Sequence, residues 1–220
     1  MNSVDQFVRE ALGHQPRDLH LFERALTHSS ANSRESYERL EFLGDRVLGL
    51  VIARWLYDSY AQEPEGQLSK RYNALVNRES CADVGRQIGL PALIRLGKQA
   101  REDGANRSDN VVGDVVEALL GALLIDGGME VAEAFVRRNW ADAIQHQGRA
   151  PQHPKSQLQE LAAARDLKAP AYEVVGRSGA HHAPVFTVKV SVKGLGEAQA
   201  DGGSKQDAET AAAAALLGQL

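Results

Sequence analysis

The spacing of apolar residues changes character along the chain. Up to about residue 145 they recur at helical intervals, and between about residues 171 and 201 they read as strands. Ser3 with Gln6 predicts a capping-box start to a first helix, which Gly13 closes. Leu19, Phe22, Ala25 and Leu26 form a second helical stripe. A long helix is predicted over about 36–60, followed by a turn at Glu63-Pro64-Glu65-Gly66. Further helices are predicted near 67–77, 79–88, 109–126 and 129–146, with Gly89 and Gly127-Gly128 as stops. Lys98 to Ser108 is polar without a period and predicts a mobile loop.

Gln145 to Pro154 is polar and carries two prolines, so a linker is expected there. Residues 155–166 read as a helix, and 171–176 and 184–193 are rich in Val, Phe, Thr and Tyr. Val185 to Val192 alternates as Val-Phe-Thr-Val-Lys-Val-Ser-Val, a weaker strand fits 195–201, and Ser204 caps a last helix carrying Ala211–Ala215. The expected architecture is an all-α domain over 1–146, a linker over 147–153 and a small α+β domain over 154–220. The latter is ordered α-β-β-β-α, an antiparallel three-stranded sheet with two helices on one face.

The 36–60 helix has an unusual polar side. At about 100° per residue, Glu38, Glu41 and Asp45 fall within roughly 60° of one another. No Lys or Arg stands at three- or four-residue spacing between them, so like charges crowd one stripe. A solvated face with Arg39 and Arg46 neutralising from adjacent strips is the plain reading; a bound cation is the other. Val111 to Ile125 is apolar apart from Asp114 and Glu117, which are three apart and share a face. Acids on a largely buried helix are costly unless paired or metal-bound. A buried ion pair with Arg would satisfy them. Alternatively, Glu41, Asp45, Asp114 and Glu117 make an all-oxygen donor set, which favours Mg²⁺ or Mn²⁺ over Zn²⁺.

Composition narrows the setting. The chain has 220 residues, 43% of them hydrophobic, enough for one large or two modest domains. The lone Cys81 argues against a disulfide framework and suits a reducing compartment. No signal peptide is apparent, and the longest apolar run is too short to span a bilayer, so a cytoplasmic protein without a membrane partner is expected. Net charge is −4, and neither half is a basic block, so nucleic-acid binding would have to come from local placement of charge.

Glu38-Arg-Leu-Glu-Phe-Leu-Gly-Asp45 resembles the signature of the ribonuclease III family. Ala25-Leu-Thr-His-Ser29, Glu65-Gly66 with Leu68-Ser69, and Asp114-Val-Val-Glu117-Ala-Leu agree with it. Pro154-Lys155-Ser-Gln-Leu158-Gln-Glu160 and Gly202-Gly-Ser204-Lys205 resemble a double-stranded-RNA-binding domain. The resemblance covers nearly the whole chain. It implies a homodimer that hydrolyses double-stranded RNA, leaving 5′-phosphate and 3′-hydroxyl ends with a two-nucleotide 3′ overhang. Substrates of the family include precursor ribosomal RNA and structured messenger RNA. Glu41, Asp45, Asp114 and Glu117 match the family's metal-binding carboxylates, with Asp45 and Glu117 expected to be the most sensitive. Glu38 and Glu65 match two further acids near the scissile phosphate.

For RNA binding, the resemblance points to Gln157 and Glu160 on the first helix of the C-terminal domain. It adds Gly179, His182 and Pro184 in the loop between the first two strands, and Ser204 and Lys205 at the start of the last helix. His181 and His182 also read as plain loop residues. The chain departs from the pattern in three places. Lys205-Gln206-Asp207 replaces a run of basic residues, Ala200 stands where glycine is common, and Arg46 follows Asp45 where a small residue is common. Gly44 is expected to allow a close helix–helix approach, with Phe42 packing into a partner subunit; an approach within one subunit is the other reading. Two rivals remain at this point. A di-iron helical bundle usually takes His from Glu-x-x-His pairs, absent beside these acids. A non-catalytic double-stranded-RNA binder would typically have lost one or more of the acids.

Overall fold

The computed structural model describes residues 3–147, 153–180 and 183–220. The chain forms two compact units, Met1–Pro151 and Gln152–Leu220. The expected linker therefore lies largely outside the described residues, as does His182.

The first unit is helical: α1 (Ser3–Glu10), α2 (Leu19–Ala25), α3 (Glu38–Ser59), α4 (Glu65–Leu75), α5 (Arg78–Gln87), α6 (Lys98–Glu102), α7 (Asp109–Gly127) and α8 (Met129–Gln145). Its centre is α7, where between Val111 and Leu123 every residue except Asp114 and Glu117 is buried. A helix that is apolar all round must be enclosed by others. Here α3, α5 and α8 surround it, contributing Leu48, Ile52, Cys81, Val84, Phe135 and Trp140 to one core. The Trp140 indole N–H finds the Leu75 carbonyl at 2.8 Å, so the large ring is buried without an orphaned donor.

The closest packing is between α3 and α7. A Cβ built on Gly44 would lie 1.6 Å from the Glu117 carbonyl oxygen, and one on Gly121 would lie 2.3 Å from the Leu40 carbonyl oxygen. The approach that Gly44 permits is thus within the chain. The expectation that ties it to a partner subunit is corrected. Phe42 itself points outward and is 65% exposed.

Three boundaries differ from expectation. Ser3 is already helical, Gln6 donates to Glu10, and α1 ends at Glu10, ahead of Gly13. Pro64 in an extended conformation precedes α4, so Glu65 belongs to the first turn of the helix and not to the preceding turn. There its charge favours the helix dipole. Lys98–Ser108 is not a plain loop: it holds α6 and a 3₁₀ turn, Ala105–Arg107. Ser30 Oγ accepts from the Gly97 N–H and Asn106 donates to the Pro91 carbonyl, contacts from outside the segment that its own pattern does not reveal. One buried cation also stands out. Arg71, 1% exposed, forks onto Glu63 at 2.6 and 2.7 Å and stacks 3.7 Å over the Tyr60 ring.

The second unit comprises α9 (Pro154–Ala164), β1 (Ala171–Ala180), β2 (Ala183–Val192), β3 (Gly196–Gly202) and α10 (Lys205–Leu217). The strands are antiparallel in the order β1-β2-β3. Val188, Val190 and Val192 alternate inward with Ala198, against Leu158 and Ala162 of α9 and Ala208, Ala212 and Leu216 of α10. Strand β1 is longer than its composition predicts. Arg177, Ser178 and Gly179 pair with Phe186, Val185 and Pro184, because β2 supplies the ladder that weak local propensity does not. Gly179 and Pro184 are therefore strand residues, not loop residues.

Candidate active site

The α3–α7 crossing sets two pairs of acids against each other. Glu41 and Asp45 are four apart on α3; Asp114 and Glu117 are three apart on α7. All four are half-buried, and their charges act on one another. Burial first, then the charges of Asp45, Asp114 and Glu41, push Glu117 up to about 8. Burial, then Asp114, Glu38 and Asp45, push Glu41 up to about 7. Burial also raises Asp114, against the opposing effects of the Tyr37 hydroxyl, Arg78 and His28. Such a set carries more negative charge than it can hold unneutralised.

Three residues at this site were missed by sequence reasoning. Tyr37 is buried beside the start of α3, and its hydroxyl donates to Asp114 Oδ2 at 3.3 Å. Burial and the neighbouring acids hold its phenol well above the ordinary tyrosine range, so it stays a donor. Cys81 is fully buried, with Sγ 3.9 Å from Glu117 Oε1, and burial raises its thiol strongly. Arg78 offsets part of the charge on Glu41 and Asp114. Tyr37 could have been found four residues ahead of Glu41; Cys81 and Arg78 gave no signal, being brought near by α5.

The remaining sequence-derived positions are placed as follows. Glu38 accepts from Ser36 at 3.1 Å and adds to the field on Glu41. Glu65 accepts from Ser69 at 2.6 Å and is not among the principal charges that shift the cluster. Asp45 is paired with the guanidinium of Arg46. As they stand, no three His, Cys, Asp or Glu side chains among the described residues are drawn together enough to hold one ion. The donor set nonetheless fits a hard divalent cation: four carboxylates, no nitrogen ligand, and acids whose burial and mutual repulsion a cation would relieve.

In the second unit, Gln157 and Glu160 are exposed on α9, and Lys205 is exposed at the start of α10. Ser204 Oγ accepts from the Asp207 N–H at 3.1 Å and donates to its carboxylate at 2.7 Å, a closed N-cap. Lys155 is held to Glu209, tying α9 to α10.

Comparison with known proteins places these features. A family model described as Ribonuclease-III-like matches residues 18–144, and one for the double-stranded RNA binding motif matches residues 154–220. Ribonuclease 3 of Zymomonas mobilis is 56% identical over 96% of this chain and 85% of its own length. That of Rhodopseudomonas palustris is 45% identical over 96% and 79%. The nuclease domain of ribonuclease III from Campylobacter jejuni, solved at 2.2 Å, aligns with TM-score 0.62 and 32% identity over 65% of this chain and 97% of that domain. A second structure of that domain, described for structural flexibility in the region involved in dimer formation, gives TM-score 0.61 at 33% identity over 62% of this chain and 96% of that one.

The class is therefore a helical nuclease domain joined to a double-stranded-RNA-binding domain. The chain belongs to the ribonuclease III family and is an enzyme of that family.

Proposed function

We propose that the chain is a Mg²⁺-dependent endonuclease of double-stranded RNA, acting as a cytoplasmic homodimer on precursor ribosomal RNA and structured messenger and transfer RNA. The products carry 5′-phosphate and 3′-hydroxyl ends with short 3′ overhangs. What carries the reading is the set of four mutually repelling carboxylates on α3 and α7, with Glu117 and Glu41 pushed up to about 8 and about 7.

Glu41, Asp45, Asp114 and Glu117 would hold Mg²⁺, with Mn²⁺ as a substitute. When bound, the ion supplies a Lewis acid that shields phosphate charge and makes a nucleophile available from water at neutral pH. The residues do the rest. Tyr37 fixes Asp114 by its hydrogen bond, so one donor is oriented in advance. Glu117 and Glu41, pushed up to about 8 and about 7, hold protons near neutrality that they would have to give up to serve as ligands. Glu38 and Glu65 act near the scissile phosphate.

In the second unit, Gln157, Glu160, Gly179, His182, Pro184, Ser204 and Lys205 form the contacts to A-form RNA. Such a domain reads shape through 2′-hydroxyls and phosphates. The homodimer uses the exposed side of α3, where Phe42, Leu50 and Tyr57 are 65%, 62% and 71% exposed. They fall within roughly 80° of one another on the helix. Phe42 also lines a groove of about 550 Å³ with Leu21, Leu43 and Ile125 and the charged Arg24, Glu38 and Arg39.

The deciding experiment incubates a long RNA duplex with the full chain, with and without Mg²⁺, beside Glu117→Gln. Mg²⁺-dependent cutting to staggered 5′-phosphate ends, lost in the variant while RNA binding is kept, is the expected result. Cutting by Glu117→Gln at near-normal rate overturns the site. Binding without cutting by the wild type overturns the reaction.

A further inference from the structure

Arg46 belongs to the outward stripe of α3. It lies between Phe42 and the Leu50 and Tyr57 positions around the helix, about 100° from Asp45. Neighbours at that angle do not face each other. Its guanidinium nevertheless turns back across the helix, pairs with the Asp45 carboxylate and lies 4.5 Å over the Phe42 ring. The pairing joins the exposed apolar stripe to the acid cluster through one side chain. Arg46 also offsets part of the charge that Glu117 feels.

We infer that Arg46 is a tethered counter-cation of the carboxylate site, which competes with the divalent ion for Asp45. A guanidinium is always charged and donates only. It and the ion seek the same carboxylate lone pairs, and they repel each other. While the ion is absent, the pair keeps Asp45 neutralised and oriented; when the ion binds, the guanidinium leaves. Both partners are partly exposed, at 62% and 43%, so the pair is weak and the competition modest. An exposed pair of this kind weakens ion binding by a factor of about two to five. Arg46 is thus a positioning residue that modestly raises the metal requirement, an inference that rests on the ion reading above.

The test is Mn²⁺ binding to the full chain, followed by the electron paramagnetic resonance signal of free Mn²⁺ at low salt. Wild type, Arg46→Ala and Arg39→Ala are compared. Arg39 is an exposed cation on the same helix, so its removal reports the general field alone. The expected result is Mn²⁺ binding about two- to fivefold tighter in Arg46→Ala, with Arg39→Ala unchanged. Unchanged or weaker binding by Arg46→Ala overturns the inference, and so does equal tightening by both variants. In those cases saturable binding by the wild type leaves the ion reading standing. No saturable binding by the wild type overturns both.

Discussion

Gly44 and Glu117 meet backbone to backbone: a Cβ on Gly44 would stand 1.6 Å from the Glu117 carbonyl oxygen. The obstacle is main chain on both sides, so no rotamer change relieves it. Gly121 repeats the arrangement against Leu40, and the two contacts together bring the acids of α3 alongside those of α7. The glycine that costs helix propensity is therefore what assembles the site.

Gly44→Ala should destabilise the protein by about 1–3 kcal/mol, as overpacking does, and should abolish cleavage by moving Glu41 and Asp45 away from Glu117. Gly66 is the control. It lies in α4 with nothing within 4 Å of a built Cβ. Gly66→Ala should be neutral or stabilising by up to about 1 kcal/mol. Urea denaturation of both variants measures the difference, and equal midpoints would remove the packing argument.

The raised acids make a pH prediction of definite sign. Unfolded, Glu41 and Glu117 titrate near the ordinary carboxylate value; folded, they are pushed up to about 7 and about 8. Between roughly pH 4.5 and 8 the ion-free folded state holds more protons than the unfolded one. Their contribution is fully present below that window and is lost as pH rises through it. In EDTA, stability should fall from pH 5 to pH 8. Glu117→Gln should flatten the fall and be more stable than wild type at pH 8. Glu63 and Asp126 are shifted downward, by Arg71 for the first and for the second by hydrogen bonds that outweigh burial, so their titration lies below this window. Denaturation series at three pH values suffice; stability that is level or rises towards pH 8 contradicts the electrostatics described.

What the sequence made legible was whatever is periodic along one element. The stripe Glu38, Glu41, Asp45 and the pair Asp114, Glu117 could be read because helical spacing places them without knowledge of neighbours. The alternation of Val188, Val190 and Val192 likewise marked the inner face of β2. What stayed hidden depended on contacts between elements. A bare glycine at 44 announces a close approach without saying to what, and the answer was Glu117 of the same chain. In Lys98–Ser108 the residue before the helix is held by Ser30, far away in sequence, and the 3₁₀ turn by the Pro91 carbonyl. The end of β1 is Gly- and Ser-containing and reads as loop until β2 lies beside it. Arg46 on an adjacent strip could be read as neutralising one of these acids without saying which, and the partner is Asp45.

The exposed stripe on α3 yields a prediction about assembly. Burying a side chain such as Phe42 contributes about 1.5–3 kcal/mol, so three large apolar groups on one face are a substantial incentive to associate. The wild type should sediment at about twice the chain mass of 23.8 kDa. Phe42→Glu places a charge in that face and should sediment as the single chain while keeping its helical circular dichroism. A wild-type monomer at micromolar concentration would refute the stripe as a dimer surface.

If the start of α10 meets phosphate as proposed, its charge should set the salt dependence of RNA binding. Ser204 and Asp207 are occupied in capping each other's turn, which leaves Lys205 as the exposed cation of that first turn and Gln206 as a neutral neighbour. Each phosphate contact made by a cation contributes about one unit to the slope of log affinity against log salt. Lys205→Ala should therefore lower that slope by about one unit, and Gln206→Lys should raise it by about one, with affinity at low salt moving in the same direction. Asp207 is left alone because its removal would loosen the cap as well as change charge. Titrations of a short RNA duplex at several salt concentrations separate the cases. A slope that ignores both substitutions would mean that this helix start does not face phosphate, and that binding is carried by α9 and the β1–β2 end of the sheet.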